Sequence, residues 1–137
     1  FTVCVDSTMY EDRIFWWDPN DTTDARACGV HDPQTRTFTL LGLLVPVPQR
    51  GRGHATSLLH AIGKWCTHHG VRRIDLDDMS ANQRQRRNVY RKCGFHYRHP
   101  THGPEMYAHP RAVVRVTRAR LTARQPAWRV EPLWRRA

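Results

Sequence analysis

A glycine-rich turn between an apolar run and an amphipathic segment is the part of the sequence best suited to bind an anion. The run ends at Val45, the turn contains Gly51 and Gly53, and the amphipathic segment begins at His54. A strand that enters a helix through such a turn points unpaired backbone N–H groups, and the positive end of the helix dipole, at one spot. Phosphates bind at such spots. Glycine permits positive φ and leaves room for a phosphate beside the main chain.

Two common glycine-rich phosphate loops do not fit this turn. The P-loop requires Gly-Lys followed by Ser or Thr after a four-residue spacer, and the sequence has none. The dinucleotide-binding fingerprint requires a third glycine where Thr56 stands. What remains is Arg50-Gly-Arg-Gly-His-Ala55, which has the form R-x-x-G-x-A. Taken alone, this pattern fits a phosphate site and an ordinary basic turn between a strand and a helix equally well.

Hydrophobic periodicity predicts the elements around the turn. From His54 to Cys66, apolar residues recur every three or four positions, which indicates one buried helix face, and Gly70 follows as a C-terminal cap. Residues 71–79 alternate apolar and charged side chains and are predicted to form a strand. We predict an arginine-rich helix over 82–93 and a last strand over 111–116.

The N-terminal third is predicted to be mostly strand. Residues 1–5 form the first candidate strand, and residues 13–17 form either a second strand or a short helix. Residues 25–31 and 35–45 are predicted to pair as a hairpin, because a turn-forming Asp-Pro-Gln-Thr sequence separates them.

A second motif gives the sequence a family resemblance. Tyr90-Arg-Lys-Cys-Gly-Phe95 has the form Y-x-x-x-G-F, and it follows R-x-x-G-x-A after one predicted helix and one predicted strand. In this order, the two motifs resemble those of the GCN5-related N-acetyltransferase (GNAT) superfamily, over residues 37–106. Short segments at 76–80 and 104–106 also resemble small acetyltransferase-like proteins of large DNA viruses.

The resemblance implies a mixed α/β fold. Its sheet is twisted, mostly antiparallel and flanked by helices, with one parallel strand pair that is splayed at the active site. We predict one such domain over residues 1–117 and a basic C-terminal extension over 118–137. Family members usually carry two helices between the first strand and the hairpin. Too few residues are present for them here, so the N-terminal lid over the acceptor site is predicted to be shortened.

The resemblance also implies an N-acetyltransferase that uses acetyl-CoA as cosubstrate, takes an amine acceptor and needs no metal. In the family, the strand before the turn pairs with the pantetheine arm, and the turn holds the pyrophosphate. An asparagine that opens the next helix also contacts the cofactor, and Asn82 stands one position from its usual place. Carried over by position, the cofactor-binding residues are Leu43, Leu44, Val45, Arg50, Gly51, Arg52, Gly53, His54, Ala55, Thr56 and Asn82.

Two side chains are predicted to act in the transfer. The tyrosine of Y-x-x-x-G-F commonly protonates the departing thiolate, which would make Tyr90 the general acid. A phenol with a pKa of about 10 is protonated at neutral pH. The alternative for Tyr90 is a core aromatic residue with a tethered hydroxyl. Asp77, at the end of a predicted strand, is the candidate base, although family members often use water instead.

Composition limits the function classes that fit. The chain has 137 residues and a formal net charge of +10, which fits one small domain with an anionic partner. No segment approaches the ~20 apolar residues of a membrane span, and no signal peptide is recognisable. The four cysteines form no C-x-x-C pair, and the nine histidines show no metal-ligand spacing. We expect an intracellular protein, cytoplasmic or nuclear, whose natural N terminus lies upstream of Phe1.

The basic tail leaves a second partner open. Trp128 and Trp134 stand among arginines, an arrangement that suits RNA or single-stranded DNA. The alternative is that these tryptophans pack on the domain. A non-catalytic module that binds CoA or nucleic acid through its basic surface is therefore the alternative function. The oligomeric state is not predicted.

Overall fold

A computed structural model describes residues 1–20 and 23–124 of the chain. In this part, seven strands form one sheet: β1 (Thr2–Ser7), β2 (Asp12–Trp17), β3 (Arg26–Asp32), β4 (Thr37–Leu44), β5 (Arg73–Asp77), β6 (His96–Tyr97) and β7 (Glu105–Ala108). Three α-helices accompany them, α1 (His54–His68), α2 (Val89–Lys92) and α3 (Pro110–Ala123), and a short 3-10 helix (Val47–Gln49) follows β4. None of the helices in these ranges is long and apolar enough to cross a bilayer.

The strand order of the sheet is β1-β2-β3-β4-β5-β7-β6. Neighbouring strands are antiparallel except β4 and β5, which pair in parallel from Thr37 and Arg73 to Leu40 and Leu76. The pairing ends there, while β4 continues to Leu44. The predicted mixed sheet with one splayed parallel pair is therefore confirmed.

A β-bulge marks the point where β4 leaves β5. Cys28 of β3 lies opposite Gly42, and Gly29 lies opposite Leu40, so Leu41 is one residue too many on β4. A bulge bends its strand and increases the local twist. The bulge therefore contributes to the separation of β4 from β5.

The hydrophobic core lies between α1 and the sheet. Leu58, Leu59 and Ile62 of α1 are fully buried and pack in one cluster with Phe38 of β4 and Ile74 of β5. Burial of each such side chain contributes about 1.5–3 kcal/mol to folding. This packing fixes the start of α1 relative to the end of β4, which places the glycine-rich turn between them.

Helix α3 packs directly against α1. A Cβ atom on Gly63 would lie 3.1 Å from Val113 Cγ1 and 3.2 Å from Val114 Cγ2, so the two helices approach closely at this glycine. His60 Nδ1 and Thr117 Oγ1 form a hydrogen bond of 2.8 Å across the same interface. Gly63 of α1 meets Val113 of α3, and the earlier residue His60 meets the later residue Thr117, so the two helices run in opposite directions. The C-terminal half of α3 therefore lies alongside the N-terminal half of α1.

Two predicted elements are wrong. Residues 111–116 form the first half of α3 rather than a strand: Val113 and Thr117, one turn apart, are buried on α1, while the intervening Arg115 is exposed. The arginine-rich helix predicted over 82–93 is mostly a series of turns that ends in the single turn of α2. Arg84, with a φ of 63°, has a left-handed backbone that a helix cannot contain.

Helix α3 continues across the predicted domain boundary between residues 117 and 118. The later part of the predicted extension, with Trp128 and Trp134, lies outside the described residues. The predictions for those two tryptophans therefore stay predictions.

The hairpin of β3 and β4 is confirmed, as is the strand interpretation of residues 13–17. In the described residues between β1 and β3 there is one strand and no helix. The sheet face opposite α1 is therefore open at this end. Phe15, Trp17 and Leu44 are each about 40% exposed there and border a cavity of about 370 Å³.

Candidate active site

The turn between β4 and α1 presents a row of free backbone donors. Gly53, at the N-cap of α1, has a φ of 86°, and Gly51 has a φ of 79°. Hydrogen bonding inside α1 begins only with Ser57 N, which donates to Gly53 O at 2.9 Å. No acceptor in the described part of the chain takes the N–H groups of residues 51–56. These N–H groups are therefore available to an anion at the positive end of α1.

A cavity of about 250 Å³ lies in front of these donors. A Cβ atom on Gly51 would meet no heavy atom within 4 Å, so a ligand has room beside the main chain there. We call this space the cradle cavity; its lining residues are Val45, Gln49, Arg50, Gly51, Gly53, His54, Ala55, Thr56, Arg87, Val89, Lys92, Arg120 and Arg124. Most of the predicted cofactor-binding residues are thus brought together. Arg52 is not among the lining residues, and its Nη1 atom donates instead to Gln49 Oε1 at 3.4 Å.

The cradle cavity is strongly basic. Its lining has no aspartate or glutamate and five cations, which are Arg50, Arg87, Lys92, Arg120 and Arg124. Arg50 Nε donates to Val45 O at 3.0 Å, which ties the turn to the end of β4. Free N–H groups, open space and unopposed cations fit the pyrophosphate of CoA.

Arg120 and Arg124 are functional candidates that sequence reasoning missed. Arg120 lies in the last turn of α3, Arg124 is the C-cap of this helix, and both line the cradle cavity. Arg124 Cδ lies 3.3 Å from where a Cβ atom on Gly53 would be. Their spacing of four residues was the available signal, because it places both on one side of a helix. With a strand predicted over 111–116, no helix was expected there, and the spacing of the two arginines had no significance.

A second cavity, of about 290 Å³, occupies the splay between β4 and β5. We call it the splay cavity; its lining residues are Leu40, Leu41, Gly42, Leu43, Leu76, Asp77, Met79, Ser80 and Tyr90. The fold therefore brings together both predicted catalytic residues and Leu43. Leu44 instead lines the open apolar face beside Trp17.

An adjoining cavity of about 380 Å³ extends the splay toward β7. We call it the outer cavity; it shares Leu40, Leu41, Leu76, Asp77 and Met79 with the splay cavity, and adds Thr39, Asp75, Arg98, Glu105 and Met106. Arg73 Nε donates to Asp75 Oδ1 at 2.8 Å, so the Asp75 carboxylate is already paired. Asp77 is exposed and lies opposite Glu105 in the β5–β7 pair.

Tyr90 is positioned by a buried polar network centred on Asp78. The Asp78 carboxylate is fully buried and accepts hydrogen bonds from Asn88 Nδ2 at 2.9 Å and Tyr97 OH at 2.6 Å. The Asn88 side chain also caps α2, where Oδ1 accepts from Arg91 N at 3.1 Å. Since Tyr90 lies in the first turn of this short helix, the cap and the network fix its backbone.

The surroundings of Tyr90 determine its ionisation. Burial, and secondarily the negative charge of Asp78, raises the pKa of Tyr90 to about 12. The phenol is therefore neutral, with its proton available, throughout the physiological range. The raised pKa also makes it a weaker acid than a phenol in water.

Asn82 lines neither the cradle cavity nor the splay cavity. Its Oδ1 atom accepts a hydrogen bond of 3.3 Å from Asn88 Nδ2, so it belongs to the network around Asp78. Its contact with the cofactor stays a prediction.

Two of the four cysteines, Cys66 and Cys93, are buried. Burial raises the pKa values of the Cys66 and Cys93 thiols, which disfavours the reactive thiolate. Among residues 1–20 and 23–124, no three His, Cys, Asp or Glu side chains are grouped so that they could hold a metal ion.

Comparison with known proteins identifies the family. The model of the acetyltransferase (GNAT) family matches residues 6–95. The chain belongs to this family. It is accordingly an acyl-CoA-dependent N-acetyltransferase with acetyl-CoA as cosubstrate. A comparison with curated protein sequences gave no match.

Solved GNAT structures share the fold at low sequence identity. GCN5 from Tetrahymena is 13% identical with a TM-score of 0.58, over 74% of this chain and 69% of that one. A mutant of the spermidine N-acetyltransferase SpeG from Vibrio cholerae is 15% identical with a TM-score of 0.58, over 77% and 68%. A Bacillus subtilis acetyltransferase in complex with CoA is 9% identical with a TM-score of 0.54, over 78% and 97%. At these identities the likeness establishes the fold alone.

Proposed function

We propose that the protein transfers the acetyl group of acetyl-CoA to a primary amine by direct attack, with Tyr90 as general acid. The observation that carries this proposal is the arrangement of the two cavities. Val45 and Val89 line the cradle cavity, while Leu43 and Tyr90, close to them on the same two segments, line the splay cavity. A ligand with its pyrophosphate in the cradle cavity can therefore extend along β4 and place its thioester beside Tyr90.

The transfer then requires one bond to form, one bond to break and three proton transfers. The neutral amine nitrogen attacks the thioester carbonyl carbon, a C–N bond forms, and the C–S bond breaks. The departing thiolate takes the proton of the Tyr90 hydroxyl, and water restores that proton. The proton lost by the acceptor passes to Asp77 or to water. Holding both reactants in one site supplies much of the rate, because it removes the entropic cost of their encounter.

We infer that the acceptor reaches the thioester through the outer cavity. Asp77 and Glu105 place negative charge there, although the whole chain has a net charge of +10. A carboxylate beside the splay stabilises the acceptor ammonium before its proton leaves. One structural match is a spermidine N-acetyltransferase, so a polyamine belongs in the set of acceptors to be tested, together with monoamines and peptides.

Release of CoA thiol from acetyl-CoA in the presence of a panel of primary amines tests this function. Tyr90→Phe should lower kcat by about 10²-fold, at the low end of the 10²–10⁴ range for general acids, because the raised pKa weakens this acid. Tyr107→Phe is the matched control: Tyr107 is exposed on β7 and lines none of the three cavities named above. An unchanged kcat in Tyr90→Phe would refute the general-acid role, and no thiol release with any amine would refute the proposed acceptor class.

A further inference from the structure

Some of the basic residues of the cradle cavity lie outside the part of the chain that matches the family model. That match ends at residue 95, yet Arg120 of α3 and Arg124, the C-cap of α3, line the cavity beside the free N–H groups of the turn. The two residues are four apart, so they lie on one side of the helix. Helix α3 thus adds two cations to a site that the family motif already builds from its own backbone.

These arginines form a cluster with Lys92 on one side of the cavity. Lys92, Arg120 and Arg124 all line the cradle cavity, and Arg124 Cδ lies 3.3 Å from where a Cβ atom on Gly53 would be. Burial raises the pKa of the Cys93 thiol, and a hydrogen bond to Thr56 and the positive charges of Arg120, Lys92 and Arg124 oppose that rise. Cys93 Sγ lies 3.9 Å from Thr56 Oγ1, in the first turn of α1. Arg50, in contrast, is held at the end of β4 by its hydrogen bond to Val45. The cavity therefore has one cation, Arg50, beside β4, while Lys92, Arg120 and Arg124 lie with Arg87 on the side of α2 and α3.

The turn does not need this second group to bind a pyrophosphate. Its free N–H groups and Arg50 already provide donors and positive charge. CoA carries one further phosphate, a monoester on the 3′ position of its ribose. Such a group has a charge of about −1.5 to −2 at neutral pH. Arginine suits it because the guanidinium donates two hydrogen bonds to one phosphate.

We propose that Arg120, Arg124 and Lys92 form a binding site for the ribose 3′-phosphate of CoA, through which the enzyme distinguishes CoA from dephospho-CoA. The inference rests on the proposed function, because it requires the pyrophosphate to lie in the cradle cavity. Helix α3 holds the arginines in place through its close contact with Gly63 and the hydrogen bond between His60 and Thr117. The site is therefore built on a packed helix and its C-cap.

Titration calorimetry on the protein without substrates tests this site. The ligands are CoA and dephospho-CoA, and the proteins are the wild type, the double variant Arg120→Gln/Arg124→Gln and the control Arg111→Gln/Arg115→Gln. The control arginines have the same spacing on α3 but are exposed and do not line the cradle cavity. Because the 3′-phosphate would form hydrogen bonds to charged side chains, we expect the wild type and the control to bind CoA at least about tenfold more tightly than dephospho-CoA. In the double variant, this ratio should fall toward 1, because the contacts of both guanidinium groups are lost and only Lys92 remains.

Three results would overturn the site. The first is equal affinity of the wild type for the two ligands, and the second is an unchanged ratio in the double variant. The third is tight binding of a single-stranded oligonucleotide, lost in the double variant, with no preference for CoA over dephospho-CoA. The ratio in the wild type needs no substitution, so it is informative even if the double variant does not fold. Equal binding with normal thiol release would refute only this inference, whereas no binding of either ligand would refute the proposed function as well.

Discussion

Three glycines with similar positive φ angles make it possible to separate the effect of a substitution on the fold from its effect on ligand binding. Gly51, Gly53 and Gly70 have φ values of 79°, 86° and 71°. An alanine at each position meets similar backbone strain, about 1–2 kcal/mol. A loss of 1 kcal/mol lowers the Tm of a domain of this size by about 2–8 °C. We therefore expect all three alanine variants to lower the Tm, each by several degrees.

The surroundings of the three glycines differ, and so should their effects on affinity. An added Cβ meets nothing within 4 Å at Gly51, the Arg124 side chain at 3.3 Å at Gly53, and Arg36 Nη2 at 3.8 Å at Gly70. A methyl group at Gly51 or Gly53 would stand beside the free N–H groups and keep a phosphate away from them. Loss of a hydrogen bond to a charged group costs about 1.5–3 kcal/mol, or roughly a tenfold to hundredfold weaker Kd. Gly70 lies beyond the other end of α1, so its methyl group should leave the Kd unchanged.

The assay combines thermal melting without ligand and calorimetric titration with acetyl-CoA on the same preparations. We expect similar losses in Tm for all three variants, and weaker binding only for Gly51→Ala and Gly53→Ala. The reasoning is refuted if Gly70→Ala weakens binding as much as the other two. It is equally refuted if both turn variants bind acetyl-CoA with the wild-type Kd.

Three further predictions concern the elements around the site. Asn88→Ala removes the α2 cap and a hydrogen bond to the buried Asp78, so urea denaturation should show an unfolding free energy lower by about 2–3 kcal/mol; a wild-type value would contradict the network. In the folded protein the pKa of Tyr90 is about 12, above its ordinary value of 10.0, so the unfolded state loses the phenol proton first. The free energy of unfolding should therefore fall by about 2–3 kcal/mol as the pH rises from about 10 to about 12. Tyr90→Phe should lack this part of the decline, and an identical alkaline slope in both proteins would argue against a buried phenol. Gly63→Ala should crowd Val113 and lower stability by about 1–2 kcal/mol in the same denaturation assay, whereas a stabilised variant would show that α1 and α3 do not pack closely there.

The sequence predicts the parts of the fold that depend on local pattern. The spacing of apolar residues in α1 and the glycines of the turn have direct local consequences, so the helix and the turn could be located without the structure. The helix over 111–116 could not, because Val113 and Val114 also fit a strand and only packing on Gly63 of α1 decides between the two. Because this tertiary contact could not be predicted, Arg120 and Arg124 at the end of the helix were not recognised as candidates either.

The charge distribution around the site was equally inaccessible to sequence reasoning. The net charge of +10 indicates a basic protein but not where acidic residues meet. Asp77 and Glu105 become neighbours only through the pairing of β5 with β7. Alternation along the strand predicted over residues 71–79 implies that Asp78 faces away from Asp77, but not that Asn88 and Tyr97 hold Asp78 in a buried network. These contacts join residues far apart in the chain.

The most direct test of the site is a titration of the isotopically labelled protein with acetyl-CoA, followed through its backbone amide resonances. We expect the largest chemical-shift changes at the amides of residues 51–56, because these free N–H groups would acquire phosphate oxygens as acceptors. The changes should saturate with the Kd measured by calorimetry. Unchanged amides at residues 51–56, with saturable changes elsewhere, would show that acetyl-CoA binds at another site and would contradict the proposed cradle.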